Sequence, residues 1–148
     1  LEFRRVLFRS LALNTREAQQ AWEGRGAIFV DVLTAPRRPD GLSASAVWAP
    51  QPRMDIPGSV WLPDVGRGAL SNEREAWFRA QLQRISGGNQ SVDLIFYCRA
   101  NCWMSWNATK RALEWGYINA QWYRDGTDGW QAAGFPVAKT EPPSDTPN

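Results

Sequence analysis

No histidine occurs anywhere in the 148 residues. Its absence removes the Ser/His and Cys/His nucleophile pairs, the commonest general base, and every metal site that uses an imidazole ligand. Cysteine is almost as scarce, with two in the chain, Cys98 and Cys102. They are either one local pair or two unrelated thiols. A disulfide closing so short a loop removes little entropy from the unfolded chain, so chemistry is a better reason for it than stability. As a zinc site the pair lacks at least two ligands, and no metal is expected. Charge of one sign is lacking too. The formal net charge is +2, and basic residues are scattered among acidic ones. No electrostatic stripe of the kind nucleic acid requires is present, and no nucleic-acid partner is expected. Nor does any apolar run reach the roughly 18 residues of a membrane span.

What is present is enough for one domain. Apolar residues make up 43% of the chain, sufficient for a single sizeable core. Nine tryptophans are many for this length, and most are expected as core or pocket walls. Residues 1–10, with the stretch Arg5-Val6-Leu7-Phe8-Arg9-Ser10, look like the conceptual translation of a sequencing adaptor and are read as non-native. The domain is placed at 14–138. Residues 139–148 are polar and Pro-rich, and are read as a disordered tail.

Asn14-Thr15-Arg16-Glu17 has the form of a capping box opening a short helix that Gly24 and Gly26 stop. Residues 27–33 form a β-prone apolar run suited to a parallel strand covered on both faces. Residues 34–57 are rich in Pro, Arg and small side chains, without a period, and read as a long surface excursion. A short strand follows Ile56-Pro57-Gly58-Ser59 and ends at Pro63. Asn72-Glu73-Arg74-Glu75 caps a second helix that ends at Gly87-Gly88-Asn89. Residues 92–97 are the clearest strand, running into Cys98. A helix through Trp106, Ala108, Ala112 and Leu113 to Gly116, a short strand at 119–122 and a last helix at 130–133 complete the chain. Strands alternating with helices predict an α/β fold of three layers, with a mainly parallel central sheet flanked by helices.

In such a sheet, ligands gather at the carboxyl ends of strands, where the next helix presents unpaired N–H groups. Cys98 sits there by sequence. Helix-start amides favour an anion, so a thiolate or a persulfide would be stabilised and the thiol pKa lowered. Arg99 adds a positive charge, or points to solvent. The bland alternative is a small buried hydrophobe; Cys102, four residues on, weighs toward function. The two could close a disulfide if the loop brings their Cα atoms within roughly 4.4 to 6.8 Å.

The chain resembles the rhodanese superfamily over residues 15–137. The landmarks are Phe29-Val30-Asp31-Val32, Ile56-Pro57-Gly58-Ser59, Tyr97-Cys98-Arg99, Gly116-Tyr117 and Asp125-Gly126-Thr127-Asp128-Gly129-Trp130. A narrower likeness, in Cys98-Arg99-Ala100-Asn101-Cys102-Trp103-Met104-Ser105-Trp106-Asn107, is to a bacterial rhodanese-like group named for a CXXCW motif and associated with catabolism dependent on pyrroloquinoline quinone (PQQ). The resemblance implies a periplasmic protein that supports quinoprotein alcohol oxidation; it does not imply that the chain binds the quinone itself, and no bound PQQ is expected. Five positions, in three places, depart from the ordinary pattern. Leu33 stands where Arg follows Asp-Val, Asp55 where His precedes Ile-Pro-Gly, and Asn101, Cys102 and Trp103 where the active loop carries Gly and then Arg. An anionic donor such as thiosulfate would lose a cationic partner.

The leading expectation is therefore a sulfurtransferase or thiol oxidoreductase with Cys98 and Cys102 as catalytic residues, carrying a persulfide or cycling as a dithiol. Its substrate is a small anionic sulfur donor or a thiol. Arg99, Ala100, Asn101, Trp103, Met104 and Ser105 form the substrate-binding loop, with Ser105 donating to the sulfur. The competing expectation is a non-catalytic module that holds a PQQ-dependent dehydrogenase or c-type cytochrome through its aromatic surface and the 34–57 loop. A third is an anion or quinone-precursor binder. The candidate pocket comprises Asp31, Arg124, Asp125 and Trp130; Asp125 and Asp128 suggest a general base only weakly, since turn formers are commonly Asp.

Overall fold

Odd and even positions of the two central strands point into different cores, and this alternation organises the molecule. The computed structural model describes residues 11–49 and 51–147; the adaptor reading of residues 1–10 lies outside them. The elements in chain order are β1 (Ala12–Leu13), α1 (Thr15–Glu23), β2 (Ala27–Asp31), β3 (Arg53–Asp55), β4 (Val60–Trp61), α2 (Asn72–Ser86), β5 (Asp93–Tyr97), α3 (Trp103–Glu114), β6 (Ala120–Tyr123), α4 (Gly126–Ala132) and β7 (Ala138–Thr140). Five strands form a parallel sheet in the order β1-β6-β5-β2-β4. On one face Val30, Leu94 and Phe96 pack with Phe78 and Leu82 of α2 and Ala108 and Ala112 of α3. On the other, Phe29, Ile95 and Tyr97 pack with Ala18 of α1 and Trp130 of α4. With helices on both faces, β5 is apolar on both sides, which is why Leu94-Ile95-Phe96-Tyr97 reads as a continuous run.

The helix ends follow their caps. Asn14 accepts from the Glu17 amide at 2.8 Å while the Glu17 carboxylate accepts from the Asn14 amide at 3.0 Å, the reciprocal capping box expected from sequence. Ser71 rather than Asn72 caps α2, accepting from the Arg74 amide, and Gly87 ends that helix with φ +62°.

Four expectations differ. The first strand stops at Asp31, two residues early. The last helix begins at Gly126, four residues before 130. Strand β1, too short to carry a pattern, adds to the edge of β6. The excursion at 34–57 is interrupted by β3, which pairs antiparallel with β7. That pairing draws in residues 139 and 140, which composition placed in the tail; further along, the Asp145 carboxylate accepts from the Trp77 indole N–H at 3.3 Å.

Candidate active site

The main chain leaves β5 at Tyr97 and places Cys98 at the end of the central strand, with no exposed surface. Its carbonyl is held from three directions. It accepts from the Thr127 amide at 3.0 Å, the Thr127 hydroxyl at 3.3 Å and Arg53 Nη2 at 3.3 Å. The close approach of α4 depends on Gly126, whose φ is +57° and where a Cβ would stand 2.3 Å from the Cys98 oxygen. Beyond Cys98 the loop turns at Asn101, which adopts φ +58°. The Ala100 amide donates to Asp128 Oδ2 at 2.9 Å, and Arg99 faces the same carboxylate at 3.5 Å. The Ala100 hydrogen bond, followed by the Arg99 charge, holds the Asp128 carboxyl below the usual range, so it is anionic at neutral pH.

Cys98 and Cys102 form a disulfide, with their Cα atoms 6.2 Å apart. Cys102 is the N-cap of α3 and supplies no side-chain cap. Ser105 lies in the first turn of that helix. Its fully buried hydroxyl donates to the Cys102 carbonyl at 2.9 Å, accepts from the Trp122 indole N–H at 2.7 Å and lies 3.4 Å from Cys98 Sγ. Trp122 is flanked by Trp103, stacked at 6.2 Å, and by Trp106 at 5.3 Å. Trp103 is 69% exposed, so the ladder rises from Ser105 to the surface beside Cys102. Met104 is turned away, its sulfur accepting from the Thr34 hydroxyl at 3.6 Å.

The candidate pocket residues are not brought together. Asp31 is buried beneath the loop and ion-paired with Arg53. Arg124 and Asp125 are exposed. The Thr15 hydroxyl donates to Asp125 at 3.5 Å. Trp130 belongs to the core: its indole N–H donates to the Pro136 carbonyl at 2.6 Å and its ring packs against Trp22 and Phe135. A cleft of about 280 Å³ lined by Arg37, Trp48, Asp64 and Arg74, among others, is lined by no residue of the Cys98 loop. No group of residues suited to holding a metal ion occurs among the described residues.

Sequence reasoning missed Arg53. Arg53 Nε donates to Asp31, and it lies 3.1 Å from Asp55 Oδ1 without a hydrogen bond, since its single hydrogen points at Asp31. Burial, and after it the Asp31 charge, push the Asp55 carboxyl up to about 8, so at neutral pH it holds a proton. Burial and the same acids raise the Tyr97 phenol, which stays neutral and donates to Ser59 Oγ at 2.6 Å. This buried network reaches the reactive loop through Arg53, which also donates to the Thr127 hydroxyl at 2.9 Å. No local pattern announces Arg53, because its position depends on β3 pairing with a strand more than eighty residues later.

Comparison with known proteins agrees with this architecture. No curated protein matches the chain. Among solved structures it is similar to the 3-mercaptopyruvate sulfotransferase SseA of Escherichia coli, at 14% identity and a TM-score of 0.62 over 95% of this chain and 56% of that one. It is also similar to a thiosulfate sulfurtransferase of Pseudomonas aeruginosa, at 20% identity and a TM-score of 0.56 over 90% of this chain but 21% of that one. The human single-domain sulfurtransferase TSTD1 matches at 20% identity and a TM-score of 0.53, over 84% of this chain and 97% of that one. At these identities the likeness is one of fold. The narrower CXXCW motif is not met in spacing, since three residues, Arg99, Ala100 and Asn101, separate the cysteines. The family model for the rhodanese-like domain matches residues 15–133, and the chain belongs to that family.

Proposed function

We propose that this protein performs thiol chemistry at Cys98 with Cys102, cycling between dithiol and disulfide. The observation that carries the reading is the Cys98–Cys102 disulfide within one loop at the carboxyl end of the central strand. In one half of the cycle two substrate thiols become a disulfide and the protein disulfide takes up their two electrons and two protons; in the other half a substrate disulfide takes those electrons and protons back and is reduced to two thiols, which restores the Cys98–Cys102 bond. Persulfide transfer is the second reading, supported by the sulfurtransferase fold of the neighbours. The anionic Asp128 carboxylate occupies the Ala100 amide, so it competes for a donor group that an anionic sulfur donor would use. That favours neutral thiol substrates over thiosulfate.

A disulfide persists in an oxidising compartment, which supports a periplasmic location. We further propose, on the resemblance of the wider segments 98–107 and 125–130 rather than on the spacing of the cysteines, that the chain supports PQQ-dependent alcohol oxidation beside a quinoprotein dehydrogenase or c-type cytochrome, with cysteine rather than bound quinone as its working group. Exposed Trp103 favours a binding module as the alternative.

The test is a redox titration in glutathione buffers followed by tryptophan fluorescence, which the ring ladder beside the disulfide should report. A reversible two-electron transition that disappears in both Cys98→Ser and Cys102→Ser supports the reading. An intensity independent of redox poise, with both thiols free throughout, rejects it. Unchanged fluorescence on adding the quinone is expected; saturable quenching would overturn the proposal that no quinone is bound.

A further inference from the structure

The two sulfurs of the disulfide are not equivalent. Cys98 is fully buried, packed among Val32, Phe96 and Ala108 in the core between the sheet and α2 and α3. Cys102 is half-buried, and its neighbours Asn101 and Trp103 are exposed. Thiol–disulfide exchange proceeds by in-line attack, with the incoming sulfur opposite the leaving one. An attack on Cys98 would have to come through that core, whereas an attack on Cys102 comes from the solvent side of the loop.

We propose that Cys102, not Cys98, is the sulfur that substrate thiols meet. The inference rests on the dithiol reading above. A substrate thiolate forms a bond to Cys102 Sγ, the Cys98–Cys102 bond breaks, and its electron pair leaves on Cys98. The buried Ser105 hydroxyl, 3.4 Å from Cys98 Sγ and fixed by the Trp122 indole, donates to that leaving thiolate by rotating away from the Cys102 carbonyl. A second substrate thiolate then attacks the mixed disulfide, displacing Cys102 as a thiolate and releasing the oxidised substrate. In the reverse direction Cys102 attacks a substrate disulfide and Cys98 resolves. Cys98 is thus the internal partner, and exposed Trp103 stands beside Cys102.

The sequence allows a direct assignment, because trypsin cleaves after Arg84, Arg99 and Lys110 and so separates Cys98 (residues 85–99) from Cys102 (residues 100–110). Oxidised wild-type protein is mixed briefly with glutathione and quenched in acid denaturant containing a maleimide, and the peptides are weighed. Glutathione on the 100–110 peptide with maleimide on 85–99 is the expected result. The reverse pattern overturns this inference while leaving dithiol cycling intact. A protein that shows no disulfide to open in oxidising buffer removes both. As a second measurement, Cys98→Ser should form a mixed disulfide with oxidised glutathione at least tenfold faster than Cys102→Ser; equal or inverted rates contradict the assignment.

Discussion

Ser105 Oγ lies 3.4 Å from Cys98 Sγ, inside the first turn of α3. A hydrogen bond to a charged group contributes about 1.5–3 kcal/mol, and about 1.4 kcal/mol is tenfold in rate. Ser105→Ala should therefore slow opening of the disulfide by dithiothreitol about tenfold or more, measured by stopped-flow fluorescence, while the far-UV spectrum is unchanged. An unaltered rate would show that the hydroxyl plays no part in the sulfur chemistry.

Gly126→Ala should damage the loop itself. The added Cβ meets the Cys98 carbonyl and the backbone adopts φ +57°, so strain of about 1–3 kcal/mol is expected from the left-handed conformation, plus the clash. Urea denaturation would show the lost stability. Gly134→Ala, also at positive φ but with nothing within 4 Å of the new Cβ, isolates the contribution of strain.

Arg53 compensates Asp31, which has no exposed surface. Removing one partner of a buried pair typically costs about 3–5 kcal/mol, so Arg53→Met should lower stability by that order in chemical denaturation. A loss below about 1 kcal/mol, the range of surface pairs, would mean the pair is screened by water.

The Asp55 carboxyl rises from its ordinary 3.8 to about 8 on folding. Between those values the native state binds one more proton than the unfolded chain, so stability falls as pH rises through the window. The slope for one proton is at most about 1.4 kcal/mol per pH unit. Asp55→Asn should remove this decline, so the difference in Tm between variant and wild type grows in the variant's favour from pH 5 to pH 8 and levels off above. A difference independent of pH would place the proton elsewhere.

Much of this was legible in the sequence where cause and effect are local. The Asn14–Glu17 capping box, the doubly covered strand before Cys98 and the glycine stop at Gly87 each follow from a few adjacent residues, as does the placing of the reactive loop. Cys98, Cys102 and Ser105 come together because they lie within one strand end and one helical turn. Features set by distant pairing were hidden. Arg53 reaches Asp31 and the Cys98 carbonyl because β3 is fixed by β7, and Asp128 reaches the Ala100 amide because α4 docks on the β5 end. Trp130, grouped with the candidate pocket, turns inward because its ring packs against Trp22 and Phe135 while its indole N–H finds the Pro136 carbonyl.

The measurement that tests the central claim most directly is the intact mass of denatured, maleimide-treated protein after equilibration with oxidised glutathione, before and after reduction, with a parallel sample exposed to thiosulfate. The account predicts no label before reduction and two after it, with no gain of a sulfur atom from thiosulfate. Two labels before reduction as well as after would contradict it, and a reductant-sensitive gain of one sulfur would move the chemistry from the dithiol to persulfide transfer.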